Sequence, residues 1–267
     1  VKIRRLSAFL GLFFTSLLCH ATTKVTVATY YNYAPWHIEN EPARGLTAEL
    51  ARHLTRLSAG KYEFVAEYIP RKRVDMIIEK GQRQLVVAWV SPRFFGDSDM
   101  TRYFWTHPLL EDESLIISPS HAPLRYTGPD SLVGKRFSAS FGHKYADIDP
   151  LVEAGKVKRY DAPNLPEATL KLIARRGVDF GIIDRSTLVS MANDRFLKLD
   201  QLYIATTPRI PRYTRHILIP KKNPELADFV KKATEHLNKD ASWRAVLRKA
   251  GVFCPHPGSG PVLIECG

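Results

Sequence analysis

Seven polar or aromatic residues of this 267-residue chain stand where a fold could gather them: Tyr33, Trp36, Ser91, Arg93, Gly142, His143 and Asp184. Ser91 and Arg93 follow an apolar, β-branched run from Leu85 to Val90, and Pro92 between them cannot continue a sheet ladder. Tyr30, Tyr33 and Trp36 follow an alternating run, Lys24 to Thr29. Ser140, Gly142 and His143 follow a third run, Lys135 to Ala139, and Asp184 closes a fourth, Val178 to Ile183. In open α/β sheets, ligands bind beyond the carboxyl ends of strands. The residue types complement one another. Arg93 can hold a carboxylate through two parallel N–H bonds, and Asp184 can accept from an ammonium. The Gly142 turn can offer backbone N–H groups to an anion. Tyr33 and Trp36 can cover an apolar or cationic group. Simpler roles also fit. Asp184 can be a helix N-cap, Arg93 can pair with Asp97 or Asp99, the aromatics can belong to the core, and His143 can be a surface residue.

The pattern lacks a catalytic signature. There is no HExxH, CxxC, P-loop or GxSxG, and the nine histidines show no metal-ligand spacing. Ser58 to Lys61 fits S-x-x-K without its companion motifs, which makes chance the better reading. No cofactor, metal site or catalytic residue is expected.

Two successive β-α-β-α-β series must position these residues. The first predicts strands at Lys24 to Thr29, Tyr62 to Ala66 and Leu85 to Val90. A helix with Leu46, Leu50 and Leu54 on one face, and a second between Pro70 and Gly81, join them. Glu113 to Ser118 is a further strand, and Pro119 to Pro129 reads as a linker. The second series predicts strands at Lys135 to Ala139, Lys156 to Tyr160 and Val178 to Ile183. Its helices fall around Tyr145 to Ala154, after Pro166, and after Arg185. Strands near Leu202 and His216, then helices after Asn223-Pro224 and around Trp243, complete the pattern. Such alternation implies parallel sheets flanked by helices. If the chain returns to the first unit after about Thr206, two strands cross between two lobes and create a hinge and a cleft.

The ends narrow the setting. Residues 1–21 carry Lys2, Arg4 and Arg5, an apolar Leu6 to Leu18 core and small residues before Thr22, which reads as a secretory signal peptide. No later run is long and apolar enough for a transmembrane helix. Export from the cytoplasm is expected. The formal charge is +12, or +9 without the three basic residues of the leader. The basic residues are scattered in pairs and triplets, so no nucleic-acid partner is expected, while anionic groups are favoured. Beyond the leader only Cys254 and Cys266 remain, in an irregular tail over residues 253–267, and export would permit a bridge between them.

Several motifs carry a resemblance. They are Tyr33-Ala34-Pro35-Trp36, Gly45-Leu46-Thr47-Ala48-Glu49-Leu50, Phe104 to Pro108, Ser131 to Lys135, Phe141-Gly142-His143, and Gly177-Val178-Asp179 through Asp184. In order and spacing they resemble solute-binding protein family 3, the periplasmic polar-amino-acid-binding proteins of ABC importers. The resemblance spans about residues 24 to 250. It implies a two-lobed α/β periplasmic binding protein type II fold. Lobe 1 would comprise 22–115 and 207–252, and lobe 2 would comprise 116–206. It further implies a monomer that binds a small polar molecule, an amino acid or related carboxylate, with Arg93 on its carboxylate and Asp184 on its ammonium. The expected partner is an ABC permease or a membrane sensor. A cyclohexadienyl dehydratase-like enzyme on the same scaffold is the alternative, with His143, Glu49 or Asp184 as the acid or base. The family usually reads Thr-x-x-Arg close before its Phe-Ser segment. Here a longer insert follows Arg93, so Arg102 or Arg73 also fits the carboxylate role.

Overall fold

The β-branched runs form the strands that the alternation predicts. The computed structural model describes residues 21–38, 40–81, 83–163, 166–175, 177–193 and 199–252. Residues 1–20, where the leader is expected, and residues 253–267, with Cys254 and Cys266, lie outside these. β1 (Thr23–Thr29) leads through α1 (Leu46–Leu57) to β2 (Tyr62–Tyr68), then through α2 (Arg71–Lys80) to β3 (Leu85–Val90). β1 pairs in parallel with both β2 and β3. Parallel neighbours need such crossovers, and the amphipathic α1 supplies one by burying Leu46, Leu50 and Leu54.

β4 (Phe104–Trp105) and β5 (Leu110–Pro119) follow. The second unit holds β6 (Arg136–Ser140), α3 (Asp149–Glu153), β7 (Lys158–Ala162), α4 (Pro166–Ala174), β8 (Phe180–Asp184), α5 (Arg185–Asn193) and β9 (Leu202–Ile204). The chain then enters β10 (Ile210–Ile219), α6 (Pro224–Lys239) and α7 (Ala241–Lys249). The strands run in the order β2-β1-β3-β10-β5-β8-β6-β7, with β4 on β10 and β9 on β5.

Strands β5 and β10 belong to both lobes. Residues Ile210 to Arg215 of β10 pair antiparallel with β5, while His216 and Leu218 pair with β3. Ser114 to Ile117 of β5 pair with β8. One hydrophobic core gathers Val25, Leu54, Val86, Trp89, Ile217, Val230 and Trp243. Two others draw on β5, β6, β8 and the helices beside them, around Phe137 and Phe180 and around Ile173 and Val178.

Three boundaries depart from the sequence expectation. The helix expected from Tyr145 shrinks to Asp149–Glu153, because the Asp149 carboxylate accepts the Tyr145 N–H at 2.7 Å and holds 145–148 in turns. Both crossing strands begin earlier than expected, at Leu110 and Ile210. Their first halves are polar and read as loop; long-range partners make them strand.

Candidate functional site

The residue at the centre of the seam between the lobes is Arg215. Its side chain is fully buried in β10. A guanidinium has five N–H donors, and all five are used. Nε donates to Asp112 Oδ2 at 2.7 Å. Nη1 donates to the Tyr31 hydroxyl at 3.0 Å and the Trp89 carbonyl at 2.7 Å. Nη2 donates to Asp184 Oδ2 and the Tyr213 hydroxyl, each at 2.8 Å. The Trp36 ring lies 4.5 Å from the guanidinium carbon. One side chain thus ties both crossing strands to a strand end in each lobe.

Local backbone geometry makes this possible. Between the His216–Val90 and Leu218–Val87 pairs β3 carries one extra residue, and Trp89 there adopts φ +66°. A left-handed non-glycine residue in a strand marks a bulge. The bulge frees the Trp89 carbonyl for Arg215. Asp112 is satisfied as fully: its Oδ1 accepts the Ser186 N–H at 3.1 Å, and its Oδ2 accepts the Ser186 hydroxyl at 2.5 Å. Burial pushes the Asp112 carboxyl upward, and Arg215 and Ser186 pull it back.

Lobe 1 contributes an aromatic wall. Tyr30, Tyr31, Tyr33 and Trp36 lie on the loop after β1, with Tyr31 5.7 Å from both Tyr33 and Trp36. Thr47, in the first turn of α1, fixes that loop: its hydroxyl donates to the Trp36 carbonyl at 2.7 Å and accepts from Trp89 Nε1 at 2.9 Å. Trp36 Nε1 crosses the seam to Thr187 Oγ1 on α5 at 3.2 Å. Burial pushes the Tyr31, Tyr33 and Tyr213 phenols well above their ordinary range, so they stay protonated donors. For Tyr33 the next cause is the Asp184 carboxylate.

Lobe 2 answers with the turn after β6. His143 meets the Tyr30 ring edge-on at 5.6 Å and the Tyr31 ring at 6.4 Å. The residue as a whole keeps part of its surface, but Nε2 is shielded from solvent and has no hydrogen-bond partner. Burial first, then the charges of Arg71 and Arg159, push the imidazole down to about 4. It is neutral at physiological pH.

Of the residues singled out from sequence, Tyr33, Trp36, His143 and Asp184 meet around this seam. Asp184, the last residue of β8, keeps 18% of its side-chain surface and also accepts the Tyr213 hydroxyl at 2.9 Å. Ser91 is buried beyond β3, where its carbonyl accepts the Phe94 N–H at 2.9 Å. Gly142 has φ +79° beside His143, and a Cβ there would lie 3.9 Å from the Lys72 side chain of lobe 1. Arg93 is exposed on a short 3-10 turn, and the alternatives Arg102 and Arg73 are exposed as well. Asp97 serves the loop instead of Arg93: it accepts from the Arg102 and Tyr103 N–H groups and from Trp105 Nε1. Sequence reasoning missed Arg215 and Asp112. The signal was parity: Tyr213, Arg215, Ile217 and Ile219 share one strand face, as do Leu110, Asp112 and Ile116.

Among the described residues no cluster of histidine, cysteine or acidic side chains could hold a metal ion, and no helix is long and apolar enough to cross a membrane. No family model and no curated protein matches the sequence. Solved structures do. The chain is similar to an ancestral arginine-binding protein bound to arginine, with TM-score 0.67 and 15% identity over 86% of this chain and 99% of that one. It is similar to the GluR0 ligand-binding core from Nostoc punctiforme in complex with L-glutamate, with TM-score 0.66 and 15% identity over 85% and 98%. A histidine kinase sensor domain with similarity to periplasmic binding proteins gives TM-score 0.66 and 16% identity over 88% and 99%. The fold is that of the type II periplasmic binding proteins. In this fold the seam around Arg215 lies between the two lobes, at the crossing strands.

Proposed function

We propose that this protein is an exported solute-binding protein, which captures a small polar molecule between its lobes and presents it to a membrane partner. The ligand class is an amino acid or related carboxylate. The observation that carries the reading is the composition of the seam. Four aromatic side chains from lobe 1 face His143 and the part-exposed Asp184 of lobe 2, around a cation whose donors are all used. Such a site has apolar faces to cover a small molecule and a few polar groups to orient it. The neighbours that bind arginine and glutamate support the ligand class. Separate cores support a division into 22–115 with 207–252 and 116–206, with Leu115 at the boundary already packing into the second unit's core.

The partner is an ABC permease or a membrane sensor; the sensor-domain neighbour makes the second a specific reading. The reading is of binding and not catalysis, because the groups at the centre of the seam are saturated in one another. Calorimetry of the full chain against amino acids and organic acids tests it. Saturable binding of one compound class is expected, and prephenate or arogenate should be returned unchanged. Turnover of either would instead establish the dehydratase-like alternative.

A further inference from the structure

A ligand carboxylate calls for a cation with free N–H groups, and the central cation has none. Arg215 spends all five donors within the protein. Arg159 is held by Asp149, Asp161 and the His143 carbonyl, and Arg209 by Asp147 and Ser114. Arg71 differs. Its Nε bonds Asp75 and its Nη2 the Phe94 carbonyl, while Nη1 has no hydrogen-bond partner among the described residues. Its guanidinium packs 3.8 Å from the Phe95 ring centroid and 5.3 Å from that of Tyr30.

Arg71 also opens α2. That ten-residue helix has no side-chain cap and no acidic residue in its first turn, so no carboxylate of that turn offsets its partial positive charge. Facing it across the seam is the Gly142-His143 turn. Lys72 of α2 lies within 3.9 Å of the Cβ position of Gly142, and its Nζ sits 5.4 Å from the Phe141 ring centroid. His143 and Arg71 flank the same Tyr30 ring, and His143 Nε2 is shielded and unpartnered. A buried ring nitrogen without a hydrogen-bond partner is costly unless something fills the place.

We propose that Arg71 and His143 form the subsite for a carboxylate of the solute, Arg71 donating from lobe 1 and His143 Nε2–H from lobe 2. This deepens the solute-binding reading and rests on it. A carboxylate held from both lobes favours the closed arrangement, because only there do both donors reach it. The depressed pKa of His143 keeps the imidazole neutral, and the proposed bond uses its Nε2–H tautomer. Arg71 pairs with Asp75, Arg159, the other cation acting on His143, pairs with Asp149 and Asp161, and Lys72 faces the same turn.

The test uses acetate as the probe and the ring nitrogen resonance of His143 in the ¹⁵N-labelled full chain. Acetate should move the Nε2 signal saturably, and chloride at equal ionic strength should not. Arg71→Gln should raise the half-saturating acetate concentration by roughly tenfold or more. No saturable movement, or the same titration in Arg71→Gln, would overturn the proposal. If Arg71→Gln does not fold, thermal unfolding of His143→Gln decides. Acetate should raise the melting temperature of the wild type and not of His143→Gln, and equal rises would overturn the subsite. The calorimetric panel of amino and organic acids reports on the solute-binding reading alone, so the two fail separately.

Discussion

Arg215 shows how a charge can be buried without being available. A guanidinium removed from water costs several kcal/mol unless it is paired and its hydrogen bonds are complete, and here both conditions hold. Truncating one member of such a cluster leaves the others unpaired. Arg215→Ala should lower stability to urea by roughly 3–5 kcal/mol. The exposed Arg93→Ala should change it by less than about 0.5 kcal/mol. Equal losses would contradict the account. His143 supplies the pH-dependent counterpart. Its folded pKa lies near 4, below the ordinary value of about 6.5. Its contribution is complete above about pH 6.5 and is lost as pH falls towards 4, because the unfolded chain takes up the proton first. His53 and His216 are also lowered, mainly by burial. His143→Gln should therefore flatten, and not abolish, the fall in melting temperature between pH 6.5 and 4. An unchanged slope would mean that the imidazole is not held neutral in the fold.

At the scale of elements, the parts that were legible in the sequence are those whose burial is local. Leu85–Val90 is a strand at the limits its β-branched run suggested, and α1 follows its leucine stripe. The first halves of β5 and β10 were not legible. Their polar residues are buried by partners about a hundred positions away, as Asp112 is by Arg215. No short window contains both halves of that pair. The seven residues chosen from sequence share a topological reason, strand ends, and this brought Tyr33, Trp36, His143 and Asp184 together. It did not place Arg93, because Pro92 turns the chain into a 3-10 helix that points Arg93 outward. Gly45 links an element boundary to the site. It has φ +91°, and a Cβ would lie 2.9 Å from the Trp36 carbonyl. Gly45→Ala should cost more than about 1 kcal/mol and alter Trp36 packing, read by denaturation and tryptophan fluorescence. A neutral substitution would show that the loop can shift without disturbing the wall.

At the scale of the whole molecule, two crossing strands carry the chain between lobes, and the chemistry lies where they cross. Trp36 reaches Thr187, Tyr30 meets His143, and Arg215 joins Asp112 to Asp184. Each contact spans the seam, so a ligand seated there would act on the relative placement of the lobes. The fold alone does not choose among import, sensing and catalysis, since one scaffold hosts many functions. Saturated charges at the centre, with the unpartnered Arg71 Nη1 and His143 Nε2 beside the Tyr30 ring, favour binding. The most direct measurement is calorimetric titration of the full chain with a panel of amino acids, organic acids and their carboxamides. One carboxylate compound should bind saturably, and its carboxamide should bind at least roughly tenfold more weakly, as expected when a charge-assisted bond is lost. Absence of binding across the panel, or equal binding of acid and amide, would contradict a seam built to capture a carboxylate-bearing solute.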